Sequence, residues 1–111
     1  MKIPDILKRK KTLSFEIFPP KREEEKFTLI EKTIYELDEF KPDFISVTYG
    51  ALGNTLSNTV AVAKHIKEHT YSEPLAHLTC VSSNEEKIEA ICHELKDAGI
   101  ENILTLRGAI P

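Results

Sequence analysis

The feature that most limits how this chain can fold is an alternation of four short apolar runs, rich in β-branched and aromatic residues, with three longer stretches of helical periodicity. Residues 13–18 set large apolar side chains against Ser14 and Glu16 and stop at Pro19-Pro20, the pattern of a strand entering a loop. Residues 44–48, 75–80 and 102–106 repeat this kind of run, and Pro42 and Pro74 punctuate the approach to the second and third. Between them, Phe27, Ile30, Ile34 and Leu37 recur at helical spacing within residues 23–40, and Glu23, Glu24 and Glu25 favour the helix start electrostatically. A second helix is predicted over 57–69, with Val60, Ala63 and Ile66 on one side and Thr55 or Ser57 as its cap. For the third, Ser83-Asn84-Glu85-Glu86 has the form of a capping box, and Ile88, Ile91, Cys92 and Leu95 form the expected buried stripe. Gly99 suits a left-handed helix end, with Ile100 folding back as the contact of a Schellman motif.

The resulting order, β-α-β-α-β-α-β with short connections, places the strands parallel in one sheet through right-handed crossovers. No linker or low-complexity tract interrupts it, so residues 1–111 read as a single domain. A complete (β/α)8 barrel needs roughly 250 residues and four further strands.

A net charge of −3 gives no reason to expect a nucleic-acid partner, and 41% hydrophobic with 30% charged residues is the balance of a soluble globular protein. Residues 1–11 are basic but lack a signal peptide's apolar stretch, and no segment approaches the roughly 20 apolar residues that span a bilayer, so no membrane partner is expected and a cytoplasmic location is. Lys8-Arg9-Lys10-Lys11 reads as a solvated charge run. Cys80 and Cys92, in apolar surroundings without CxxC spacing, are expected as buried reduced thiols, with no metal site.

Strands buried on both faces should be almost wholly apolar, yet each run carries polar residues towards its C-terminal end: Glu16, Thr48, His77 with Thr79, and Arg107. In parallel α/β folds ligands bind at that edge, so these side chains are expected to converge. Glu16, flanked by Phe15 and Ile17, is expected to be partly desolvated with a raised pKa, as a general acid requires; the competing reading is a carboxylate neutralised by Arg107 or a lysine. His77 reads equally as a group orienting a cofactor ring or as a hydrogen-bond partner of a neighbouring strand. His65 and His69 stand at i and i+4 without a third ligand at a sensible spacing, and His93 stands alone on its helix, so these are expected to be solvated. The segment 50–55 could bring backbone N–H groups to a phosphate, though its glycine spacing is not GxGxxG.

Several segments together resemble the methylenetetrahydrofolate reductase family, in that family's order and at its strand ends: Ser14-Phe15-Glu16-Ile17-Phe18-Pro19-Pro20, Ser46-Val47-Thr48-Tyr49-Gly50-Ala51, His77-Leu78-Thr79-Cys80 and Leu106-Arg107-Gly108. The resemblance runs from residue 13 onward. It implies that the chain is the first four strands of a TIM-type (β/α)8 barrel. It further implies FAD at the strand C-terminal ends, and reduction of 5,10-methylenetetrahydrofolate to 5-methyltetrahydrofolate with hydride from NAD(P)H, the cofactor carrying the hydride chemistry. Glu16 then matches the catalytic acid that protonates the folate so that its five-membered ring opens. Thr48 matches a residue near nicotinamide and flavin; Tyr49, Ala51 and His77 match flavin contacts, as do Leu106, Arg107, Gly108 and Ala109 after the fourth run. Arg107 would offer charge-assisted hydrogen bonds, and Gly108 would let the backbone approach closely.

Two departures accompany the resemblance. The family pattern Leu-Arg-Gly-Asp ends here in Ala109, which predicts impaired turnover, and Leu56-Ser57-Asn58-Thr59 replaces a segment usually carrying arginine and acidic residues. The partners implied are folate, NAD(P)H and a missing C-terminal half. An alternative is an inactive half-barrel or flavin-binding module that self-associates through exposed strand edges.

Overall fold

A computed structural model describes residues 1–19, 27–48, 56–79 and 84–106 of the 111-residue chain. The predicted alternation is present: β1 (Ser14–Ile17), α2 (Phe27–Asp38), β2 (Phe44–Val47), α3 (Leu56–His69), β3 (Glu73–Thr79), α4 (Glu85–Asp97) and β4 (Asn102–Leu106). Ahead of them stands α1 (Ile3–Arg9), a helix that the sequence reading of the basic residues 1–11 does not include. Its signals are local: Pro4 in the first turn, Asp5 at the positive end of the helix dipole, and Lys8 and Arg9 at the negative end. Ile3 and Ile6, at i and i+3, are its buried residues.

The four strands form one parallel sheet in the order β1-β2-β3-β4. Each strand therefore lies beside its predecessor, so the winding never reverses as it does in a doubly wound sheet, and the helices gather on one face. Ile17, Ile45, Val47, Ala76 and Leu78 point to that face and share one core with Ile34 of α2, Val60, Val62, Ala63 and Ile66 of α3, and Ile91 and Leu95 of α4. Burying an isoleucine as fully as Ile45 or Ile66 contributes about 1.5–3 kcal/mol. This is the open first half of an α/β barrel: β1 and β4 are edges and the sheet is not closed on itself.

Local chemistry sets the helix ends. The cap of α4 is Asn84, whose Oδ1 accepts the Lys87 amide at 2.9 Å. The predicted capping box centred on Ser83 is therefore displaced by one residue, because the Asn84 side chain reaches the amide three positions on. At the other end Gly99 adopts φ +78°. The Ile100 amide donates to Leu95 O at 2.9 Å and the Gly99 amide to Lys96 O at 3.0 Å, completing the expected Schellman motif. Ile100 and Leu95 are both buried in the core. Cys92 corrects an expectation: it is exposed, since the stripe of α4 narrows to Ile91 and Leu95, with Ile88 half-buried. Cys80 lies outside the described residues.

The N-terminal edge of the sheet is tied to α1 by polar contacts. Asn102 Oδ1 accepts the Ile3 amide at 2.9 Å and Asn102 Nδ2 donates to Met1 O at 3.0 Å. Lys10 Nζ lies 2.7 Å from Asp43 Oδ1, so this member of the basic run is paired rather than simply solvated. The Leu13 amide donates to Asp43 Oδ2 at 3.0 Å and the Ser72 hydroxyl to Pro42 O at 2.8 Å.

Candidate functional site

The opposite edge carries the chemistry-bearing residues. Glu16 of β1 is in register with Ser46 of β2, and parallel pairing puts both on the face away from the helices. His77 of β3 shares that face, two residues beyond Leu75, the partner of Ser46. The Ser46 hydroxyl donates to Glu16 Oε1 at 3.2 Å, and His77 Nε2 stands 3.6 Å from the same oxygen, longer than a hydrogen bond and an ion pair only when the imidazole is protonated. Three successive strands thus bring a carboxylate, a hydroxyl and an imidazole to one place.

Their surroundings differ. Ser46 and His77 are buried at 7% and 9% exposure, because β2 and β3 are the central strands. Glu16 is 53% exposed because β1 is an edge, so the desolvation predicted from Phe15 and Ile17 does not occur: both neighbours point to the other face. Burial pushes the His77 imidazole below the ordinary histidine range, against the opposing pull of the Glu16 carboxylate, so His77 is neutral at pH 7. Of the two partners predicted to neutralise Glu16, no lysine approaches it among the described residues, and Arg107 lies outside them.

Thr79, next along the same face, has a buried hydroxyl at 2% exposure without a hydrogen-bond partner among the described residues. Such a group usually costs about 1–3 kcal/mol and marks a place where a ligand or a further segment supplies the missing partner. Thr48 is half-buried at the end of β2, where its carbonyl accepts from Thr59 Oγ1 at 2.8 Å. Leu106 ends β4 in register with Thr79. Tyr49, Ala51, Arg107, Gly108 and Ala109 lie outside the described residues, as does segment 50–55. Ser46 is the member of the cluster that sequence reading passed over. Its signal was register: a serine in an otherwise apolar strand, one crossover after Glu16.

The other histidines stand elsewhere. His65 and His69 stack at 4.3 Å with an interplanar angle of 14°, beside Glu31 and Asp38 of α2. Burial and the neighbouring His69 lower the His65 pKa, with Glu31 and Glu68 opposing. Among the described residues no group of three or more His, Cys, Asp or Glu side chains could hold a metal ion, and no helix is long and apolar enough to cross a membrane. A groove lined by Ile6, Arg9, Lys10, Pro42 and Asp43 opens beside α1, at the end of the sheet remote from Glu16, where the contacts are structural.

A singly wound parallel α/β sheet with its polar cluster on the C-terminal halves of successive strands defines a segment of the α/β-barrel class. The sequence model of methylenetetrahydrofolate reductase matches residues 2–111, and the chain belongs to that family. It is 39% identical over 99 residues to the 5,10-methylenetetrahydrofolate reductase of Pectobacterium carotovorum subsp. carotovorum, covering 89% of this chain and 33% of that protein. The Salmonella typhimurium protein of the same name is 40% identical over the same shares of both chains. Methylenetetrahydrofolate reductase (NADH) 1 of Zea mays is 38% identical over 88% of this chain and 16% of its own length. The chain therefore spans about a third of the length of the bacterial relatives it matches.

Proposed function

We propose that residues 1–111 form one partial-barrel domain that supplies the N-terminal portion of a flavin-dependent methylenetetrahydrofolate reductase site, the remaining strands coming from outside this segment. In this reading Glu16 is the acid that protonates 5,10-methylenetetrahydrofolate, and Thr48, Tyr49, Ala51, His77, Leu106, Arg107, Gly108 and Ala109 line the FAD. The flavin, when bound, passes hydride from NAD(P)H to the folate carbon. The observation that carries the reading is the grouping of Glu16 with Ser46 and His77 on one edge of the sheet. A carboxyl open on one side and held by a buried hydroxyl on the other can meet a substrate while keeping its orientation. The unpaired Thr79 hydroxyl and the neutral His77 suit an uncharged, hydrogen-bonding ring system such as a flavin.

The test is coexpression of residues 1–111 with a C-terminal half-barrel from the family. A yellow complex whose flavin is reduced by NADH or NADPH is expected. Glu16→Gln should keep that flavin reduction and lose folate reduction, and Ala109→Asp should raise turnover. A folded complex without flavin would overturn the proposal.

A second reading is favoured by the edge strands. Leu104 of β4 is 41% and Ile103 37% exposed, and an open, partly apolar edge invites pairing with another copy. A flavin-free dimer in solution would support that reading, and a well-folded monomer would exclude it.

A further inference from the structure

We propose that Ser46 is a positioning residue that assigns different tasks to the two carboxyl oxygens of Glu16: Oε1 is kept as an acceptor, and Oε2 carries and delivers the proton. This rests on the reading of Glu16 as an acid. Both neighbours approach the same oxygen, Ser46 Oγ at 3.2 Å and His77 Nε2 at 3.6 Å, and among the described residues no group takes up Oε2. Ser46 is buried in a central strand and in register with Glu16, so the β1–β2 ladder fixes its approach.

A carboxylic acid has one O–H, and an oxygen already accepting a hydroxyl hydrogen is disfavoured as its carrier. A proton on Oε1 would displace the buried Ser46 donor from its acceptor. On Oε2 it leaves that bond intact, and the Glu16 side chain is 53% exposed. In the transfer, the Oε2–H bond breaks, its electron pair stays on the carboxylate, and the proton passes to the ring nitrogen of the folate. The new carboxylate still accepts from Ser46, so the hydrogen bond grows stronger as charge develops. Among the described residues, the titratable group facing Glu16 is His77 on β3, and β2 contributes the uncharged Ser46.

The test needs neither flavin nor turnover. In the 111-residue chain with 13C-labelled glutamate, the Glu16 carboxyl is titrated by NMR, with circular dichroism as the control for folding. Ser46→Ala removes the donor to the carboxylate and should raise the Glu16 midpoint relative to the unaltered chain. Ser46→Thr, which keeps a hydroxyl, should restore it. Should the alanine variant not fold, Ser46→Cys, a weaker donor, should raise the midpoint in the same direction. Glu16→Gln should in turn lower the His77 midpoint, since the carboxylate is what holds it up. An unmoved Glu16 midpoint in a folded Ser46 variant would overturn the proposal. Failure of the coexpressed complex to bind flavin would instead count against the reductase reading and leave these titrations standing.

Discussion

Asn102 and Ile3, 99 positions apart in the chain, are joined by a 2.9 Å hydrogen bond from the Ile3 amide to the Asn102 side-chain oxygen. The Asn102 amide nitrogen returns a bond to Met1 O, so one buried side chain at the start of β4 holds both strands of an exchange with the segment entering α1.

Asn102→Ala leaves a buried backbone amide without its acceptor and should lower stability by about 2 kcal/mol, within the range for an unsatisfied buried group. The urea midpoint measures this. A loss below about 0.5 kcal/mol, the size of an ordinary surface change, would show that α1 does not rest on this contact.

Stability should fall as pH drops from 7.5 to 5.5. Folded His77 has a lowered pKa, so its contribution is fully present above the unfolded value of about 6.5 and is lost as pH falls below it, because the unfolded chain takes up the proton more readily. Urea midpoints at the two pH values should separate, and His77→Gln should narrow the gap. An equal gap in the variant would remove His77 as a cause. His65, lowered chiefly by burial, titrates in the same direction and accounts for part of what remains.

Gly99→Ala should cost about 1–2 kcal/mol, the penalty for a side chain in left-handed backbone. A built Cβ meets nothing within 4 Å, so the cost is conformational and not steric crowding by neighbours. Gly99→Asn should cost less than Gly99→Ala in thermal unfolding, and the reverse order would contradict the Schellman geometry.

Cys92, exposed on α4, should react with a thiol reagent in the folded protein at close to the rate of a free peptide thiol. Mass spectrometry after brief labelling without denaturant reads this out. Protection of Cys92 would show that another surface covers it.

The strands and helices were legible because their evidence is periodic and local. Proline stops, the Gly99 end and the β-branched runs each fix an element from a few neighbouring residues. The convergence of Glu16 and His77 was legible from strand ends plus the crossover rule, which brings three strands into one sheet. What the sequence hid depended on position across the sheet. Phe15 and Ile17 seemed to shelter Glu16, but strand alternation sends them to the helix face, and an edge strand leaves Glu16 open. Cys92 read as buried because its stripe was drawn too wide for a helix with one covered side. Ser46 was invisible until register placed it opposite Glu16, and α1 was masked by its charge.

The contacts around Asp43 and Asn102 bind α1 to the edge remote from Glu16, and this divides labour along every strand. A replacement at Glu16 leaves the bracing contacts intact, whereas a comparable change at Asp43 or Asn102 removes contacts that tie α1 to the sheet. On the opposite rim the exposed Glu16 is the position where a replacement carries least structural risk, since Ser46, His77 and Thr79 beside it are buried.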